Sequence, residues 1–320
     1  MFILQRELFN TYPTPIEYYG EINKNKIYIK RDDLTEHTLG GNKVRKLEFF
    51  LAEAKEKNAD YIVTYGAAQS NHCRLTVSMA NKLGFNVLLI LAKSNQFNYN
   101  GNFLIYDLYD TEIVWTNTNE VPETIDATLK NLEKKGHKPY FIQGGGHGDL
   151  GTHAYKTTFD EIVKQEQSMN VNFNHIFHAS GTGTTQAGLI AGDLIQGSEK
   201  SITGISIARN KERGTEVIRE SILSYLVNFY PEIKENTYNI NFIDRYVGKG
   251  YADIYPQITE TIKNVAKTSS ILLDPVYTGK AFYGMIDYMK LNDIRKQNIL
   301  FIHTGGIPLL FNYASMFKKG

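Results

Sequence analysis

Residues 174–195 read NHIFHASGTGTTQAGLIAGDLI. An apolar run, His175–Ala179, ends in Ser180-Gly181-Thr182-Gly183-Thr184, and a helix-periodic stretch, Thr185–Ile195, begins at once. A strand, a turn of small residues and a helix, in that order, form half of a βαβ unit. Small residues let backbone N–H groups approach an anion, hydroxyls add donors, and a helix start carries partial positive charge. The turn therefore reads as a phosphate cup. No Gly-Lys-Ser/Thr follows it, so it is not a Walker loop and nucleotide hydrolysis is not expected.

The same alternation extends in both directions. The pattern predicts strands at Lys26–Lys30, Tyr61–Tyr65, Val87–Ala92, Glu112–Trp115, Tyr140–Gln143, Ile202–Ala208, Ile240–Ile243, Ile271–Leu273 and Ile299–His303. It predicts helices at Lys43–Lys57, Asn71–Leu83, Glu120–Lys134, Thr152–Gln165, Lys211–Val227, Ile254–Lys267 and Lys280–Lys290, where apolar residues recur at i, i+3 and i+4. Strands alternating with helices predict an α/β fold with a parallel sheet. Ten strands are many for one open sheet, so two sheets are expected.

Composition narrows the function. Lys and Arg sum to 35 and Asp and Glu to 34 in 320 residues, a formal net charge of +1. That balance lacks the long-range pull that nucleic acid or an anionic membrane needs. The 42% hydrophobic and 22% charged content excludes a disordered chain. Cys73 is the one cysteine, which excludes an intrachain disulfide and a multi-cysteine zinc site. Met1–Leu4 is apolar but Gln5-Arg6-Glu7 follows, unlike a secretory leader. The longest apolar run, Val87–Ala92, is far short of the roughly 20 residues of a membrane span. A soluble cytoplasmic protein is the expectation.

Other turns at strand ends carry chemistry-bearing residues, where parallel α/β folds bind ligands. Gly40-Gly41-Asn42-Lys43 places a lysine at a helix start, where the macrodipole disfavours a cation and favours a neutral amine, the form a Schiff-base lysine needs. A plain surface lysine in a basic turn is the alternative, since Arg45 and Lys46 follow. Gln69-Ser70-Asn71-His72 offers N-cap residues or a cradle for a carboxylate or ring oxygen. Asp274-Pro275-Val276-Tyr277-Thr278 and His303-Thr304-Gly305-Gly306 each follow an apolar run. Gly146–Gly151 fits G-x-G-x-x-G, but no acid follows about 20 residues on, so a dinucleotide-dependent oxidoreductase is the weaker reading. His147 and His153 lack a third convincing metal ligand, so no metal is expected.

Taken together, GGNK, QSNH, SGTGT, DPVYTGK and HTGG, in this order, resemble the D-cysteine desulfhydrase and 1-aminocyclopropane-1-carboxylate (ACC) deaminase family of fold type II pyridoxal-phosphate enzymes. The resemblance covers nearly the whole chain. It implies two α/β domains like those of the tryptophan synthase β-subunit, each a mostly parallel twisted sheet flanked by helices. Residues 1–47 and 159–320 would form the larger, cofactor-binding domain and 48–158 a smaller insert. It implies that Lys43 holds pyridoxal 5′-phosphate and moves the Cα proton, and that Asn71 meets the pyridoxal 3′-oxygen. Ser70 and His72 would flank the substrate carboxylate, and Ser180, Gly181, Thr182, Gly183 and Thr184 would bind the phosphate. Tyr277 and Tyr251 are the implied active-site tyrosines, and Thr304 would meet the pyridine nitrogen. A homodimer is also implied.

At the position after Tyr277, ACC deaminases carry a glutamate that contacts the pyridine nitrogen. Here it is Thr278. A carboxylate would keep that nitrogen protonated, and a hydroxyl cannot. A less electron-withdrawing ring suits expulsion of thiolate and not the opening of a cyclopropane. The expectation is β-elimination on a small amino acid, D-cysteine foremost, with ACC, L-cysteine, D-serine or β-replacement as alternatives. The loop Gly144–His153 is richer in glycine and histidine than the family pattern and could reshape the substrate side. A non-catalytic binding protein of the same fold is disfavoured, because Lys43 and the phosphate loop are both intact.

Overall fold

The computed structural model describes residues 4–93, 99–233 and 238–318. Its strands form two sheets. The first runs in the order β1 (Ile16–Ile22), β2 (Asn25–Lys30), β10 (Asn298–Ile302), β7 (His175–Ser180), β8 (Ser201–Ser206), β9 (Asn241–Ile243), and every pairing but β1 with β2 is parallel. The second, all parallel, runs β5 (Glu112–Thr116), β4 (Asn86–Ala92), β3 (Tyr61–Ala67), β6 (Pro139–Ile142). Helices cover both, as an all-parallel ladder with two buried faces requires.

One predicted strand is absent and other elements appear that the pattern did not give. Ile271–Leu273 is not a strand: Leu272 is exposed and its carbonyl accepts from the His303 ring, so the segment crosses beyond the end of β10. The tenth strand is instead β1, an edge strand whose alternation is broken by a bulge between Tyr18 and Gly20. The helix Gly101–Leu108 (α3) was also not predicted, being only eight residues long.

Two helices bridge the sheets. The helix α1 (Lys43–Glu56) sends Val44, Leu47, Phe50 and Leu51 into the core beneath the four-stranded sheet. The helix α5 (Asp149–Met169) packs on α1 and sends Tyr155, Phe159 and Ile162 into the core of the six-stranded sheet. The expected boundaries at 47/48 and 158/159 thus fall inside continuous helices.

A buried ionic cluster locks this bridge. Arg45 of α1 donates from Nη2 to Asp32 Oδ1 (2.8 Å) and from Nη1 to Glu161 Oε2 of α5 (2.9 Å). Lys30 Nζ of β2 donates to Glu161 Oε1 at 2.6 Å, and Thr14 and Tyr155 hydroxyls donate to Asp32. Burial would raise the Asp32 carboxyl, yet the Arg45 and Lys30 charges hold it below the usual carboxylate range. Its contribution to stability is present above the ordinary carboxylate pKa and is lost as pH falls through its depressed value. Replacing Arg45 by Ala strands Asp32 in the core, and the expected cost is about 3–5 kcal/mol of unfolding free energy, read as a shift in the urea midpoint. A midpoint within experimental error of the parent would show that the cluster does not brace the two helices.

Candidate active site

One cavity of about 550 Å³ opens between the sheets, within the range of small-molecule sites. It is lined from both sides. The six-stranded sheet supplies Lys43, the Gly181–Gly183 turn, Tyr251, Tyr277 and Thr304, and the four-stranded sheet supplies Ser70, Asn71, His72 and Gly144–Gly145.

Lys43 is the first residue of α1. The preceding turn is fixed by Asn42 N–H, which donates to the Thr304 carbonyl at 3.1 Å. Gly305, with φ of 89°, passes so close to Gly41 that a Cβ on it would fall 2.6 Å from the Gly41 Cα, so no side chain is tolerated. Burial pushes the Lys43 amine down to about 8. The sequence argument credited the helix terminus for this; the dominant cause is desolvation.

Lys46, one turn on, is fully buried and was read from the sequence only as part of a basic turn. Its Nζ donates to Thr184 Oγ1 at 2.6 Å. Burial and the neighbouring Lys43 drive its amine far below the usual lysine range. Two ammonium groups without a carboxylate between them cannot both stay charged in this setting.

The turn after β7 has the geometry of an anion cup. Gly183, with φ of 97°, precedes the helix α6 (Thr184–Gln196), and Gly181, Thr182, Gly183 and Thr185 line the cavity. Ser180 and Thr184 lie behind this lining; Ser180 Oγ is buried without a partner, and Thr184 is engaged by Lys46. Arg209 donates from Nη1 to the Gly181 carbonyl at 3.0 Å and adds a half-buried positive charge.

Across the cavity, Ser70 caps the helix α2 (Asn71–Lys82) by accepting from Cys73 N–H at 3.2 Å. Asn71 Oδ1 accepts from Asn102 Nδ2 at 2.8 Å, which leaves the Asn71 amide NH₂ as the donor for a ligand. Asn102 is in turn held by the Gln69 carbonyl. Its part could not be read from the sequence, because α3 was not.

His72 is held as a donor at Nε2. The Thr64 hydroxyl donates to the Ile142 carbonyl (2.7 Å), so it can only accept from His72 Nε2 (2.9 Å), and Nε2 must carry the ring proton. Burial, Lys43 and Lys46 push the ring far below its ordinary range. A neutral ring offers a carboxylate no charge, so the expected part of His72 there falls to backbone and neighbours.

Tyr251 and Tyr277 share a hydroxyl–hydroxyl bond of 2.8 Å. Both phenols are raised, Tyr277 by burial and Tyr251 to about 12 although part of the residue is open to solvent, so both keep their protons. Thr278, the first residue of the helix α9 (Thr278–Leu291), does not line the cavity. Its hydroxyl donates to Asp274 Oδ1 at 2.8 Å, and Asp274 also takes the N–H groups of Val276, Tyr277 and Thr278. The sequence expectation that Thr278 touches substrate is corrected.

The wall loop flagged in the sequence does line the cavity, through Gln143, Gly144, Gly145 and His147. A Cβ on Gly145 would meet Thr182 at 2.6 Å, so this loop presses directly on the anion cup. His153 instead lies outside the cavity, its Nδ1 2.7 Å from the Tyr225 hydroxyl. Among the described residues no group of three metal-ligating side chains is assembled, and no helix is long and apolar enough to cross a membrane.

The donors fit pyridoxal phosphate. The N-terminus of α6 and the residues Gly181, Thr182, Gly183 and Thr185 face the cavity where a phosphate would sit, and Lys46 braces that turn from behind through Thr184. Asn71 and Thr304 line the same cavity, and Lys43 there has the lowered pKa of an amine that condenses with an aldehyde.

Comparison with known proteins agrees. Residues 8–305 match the family described as pyridoxal-phosphate dependent enzyme. A putative ACC deaminase of Pyrococcus furiosus is 38% identical over 94% of this chain and 92% of its own. A D-cysteine desulfhydrase of Salmonella typhi is 37% identical over 94% of each chain. The crystal structure of an ACC deaminase homologue superposes with a TM-score of 0.89 at 34% identity, covering 97% of this chain and 94% of that one. These findings set aside the dinucleotide reading of Gly146–Gly151, and the chain belongs to the pyridoxal-phosphate dependent enzymes that include D-cysteine desulfhydrases and ACC deaminases.

Proposed function

We propose that the enzyme catalyses β-elimination from a small amino acid, D-cysteine foremost, releasing hydrogen sulfide, ammonia and pyruvate. The observation that carries this reading is the neutral character of the Thr304 end of the cavity. Thr278 is spent on Asp274, and Asp274 is saturated by its own turn. Among the described residues the one carboxylate lining the cavity is Glu220, on the helix α7 (Lys211–Phe229). Nothing at that end enforces protonation of a ring nitrogen, which favours a substrate with a good leaving group over a cyclopropane.

In this reading pyridoxal phosphate supplies the electron sink that acidifies the substrate Cα–H. The Ser180–Thr184 turn, braced by Lys46 through Thr184, would hold its phosphate, and Asn71 and Thr304 would orient its ring. Ser70 and the α2 turn receive the substrate carboxylate. Lys43 Nζ takes the Cα proton, the Cβ–S bond breaks with its electron pair on sulfur, and the protonated Tyr277–Tyr251 pair donates to the departing thiolate. Water then converts the three-carbon remainder to pyruvate and ammonia. The resemblance extends the reading to a cytoplasmic homodimer.

Offered D-cysteine, L-cysteine, D-serine and ACC in parallel, the enzyme should release pyruvate with sulfide fastest from D-cysteine and little or nothing from ACC. ACC turnover rivalling D-cysteine would refute the leaving-group argument. Lys43→Ala should lose turnover and the visible absorbance of the lysine-bound cofactor while remaining folded; retained activity would remove Lys43 from its role. The rate at which the cofactor-free chain captures pyridoxal phosphate should rise with pH and level off above about 8, because the neutral amine is the reacting form. A midpoint near the ordinary lysine value of 10.5 would contradict the buried setting.

A further inference from the structure

Arg74 stands in the first turn of α2 and is fully buried, yet no carboxylate pairs with it among the described residues. Burial pushes its guanidinium down to about 10. A buried cation without a counter-charge is costly, so its retention needs a reason. Two of its nitrogens donate to backbone, Nη2 to the Gly40 carbonyl at 2.9 Å and Nη1 to the Thr38 carbonyl, and Nε is buried without a partner among the described residues.

Those carbonyls belong to an unusual run. Thr38, Leu39, Gly40 and Gly41 have φ of 35°, 65°, 61° and 131°, four successive residues on the left-handed side. A β-branched threonine and a leucine pay a steric penalty there. The run leads through Asn42 directly into Lys43. Its far end is fixed by Gly41 N–H on the Thr35 hydroxyl (2.8 Å) and Asn42 N–H on Thr304. Its middle is held by Arg74. Arg74 also lies within one helical turn of Ser70, Asn71 and His72, since its own N–H donates to the Ser70 carbonyl at 3.1 Å.

We propose that Arg74 is a positioning residue that couples the Ser70–His72 turn to Lys43 by clamping the Thr38 and Gly40 carbonyls. The proposal rests on the assignment of Lys43 as the cofactor lysine. A planar guanidinium spans two carbonyls two residues apart, and a lysine ammonium cannot reproduce that fork. If the clamp loosens, Lys43 drifts relative to the bound amino acid while the carboxylate cradle stays in place. A misplacement of about 1 Å can cost on the order of 10²-fold in rate.

The test uses the cofactor-loaded enzyme and its best amino-acid substrate. Arg74→Lys should lower kcat by roughly 10²-fold with KM changed far less, and should slow capture of pyridoxal phosphate by the stripped chain. In Arg74→Ala, added guanidinium ion at sub-denaturing concentration should restore part of kcat, and it should not do so in Arg74→Lys. The double variant Leu39→Gly/Arg74→Lys separates positioning from stability, because glycine relieves the strain at an exposed site. It should regain thermal stability without regaining kcat. The proposal is overturned if Arg74→Lys keeps wild-type kcat and capture rate, or if Leu39→Gly restores stability and kcat together. A parent chain that captures no pyridoxal phosphate at Lys43 would instead sink the assignment beneath the proposal, and the proposal with it.

Discussion

Two amines buried one helical turn apart, with no carboxylate between them, set the terms for the rest of the site. Lys43 and Lys46 repel each other as cations, and burial deepens the penalty. The surroundings relieve it without acids: a threonine hydroxyl accepts from Lys46, and burial with the two amines disfavours a charge on the neighbouring imidazole of His72. An acid placed there would make both lysines stable ammonium ions and quench the nucleophile. The arrangement leaves room for negative charge and supplies none, which is the condition for an anionic cofactor to complete it.

The scaffold treats charge in the opposite way a few residues along the same helix. Arg45 lies between Lys43 and Lys46 in sequence but faces Asp32 and Glu161, where anions are supplied in full. One face of α1 is thus a saturated ionic brace to α5 and β2, and the other a deliberately unsaturated reactive face. The helical period of 3.6 residues separates the two functions within a single turn.

Much of this was legible beforehand. The βαβ alternation, the glycine turns at strand ends and the residues Lys43, Asn71, Tyr277 and Thr304 follow from local pattern, and the cavity contains them all. What escaped depended on tertiary contact. Ile271–Leu273 looks like a strand by hydropathy and lacks only a neighbour to pair with. Gly20 hid β1 because a bulge resets the alternation. The burial of Lys46 and Arg74 could not be inferred, since residues of that type are ordinarily at the surface. Thr278 was placed by its neighbour Tyr277, but its hydroxyl is turned inward by the tight Asp274 turn.

The pressure of Gly145 on Thr182 bears on how such an enzyme changes over generations. Part of the cavity wall is glycine, and a side chain at Gly145, Gly66 or Gly305 would collide with Thr182 of the anion cup, with the Ser70 turn or with the Gly41 backbone. That wall is closed to variation. Diversification of substrate preference is left to the few walls with side chains to exchange, chiefly Tyr65, Gln143 and His147. Lineages sharing this scaffold should therefore explore new substrates by small sets of substitutions in those positions, with the glycine wall inherited unchanged.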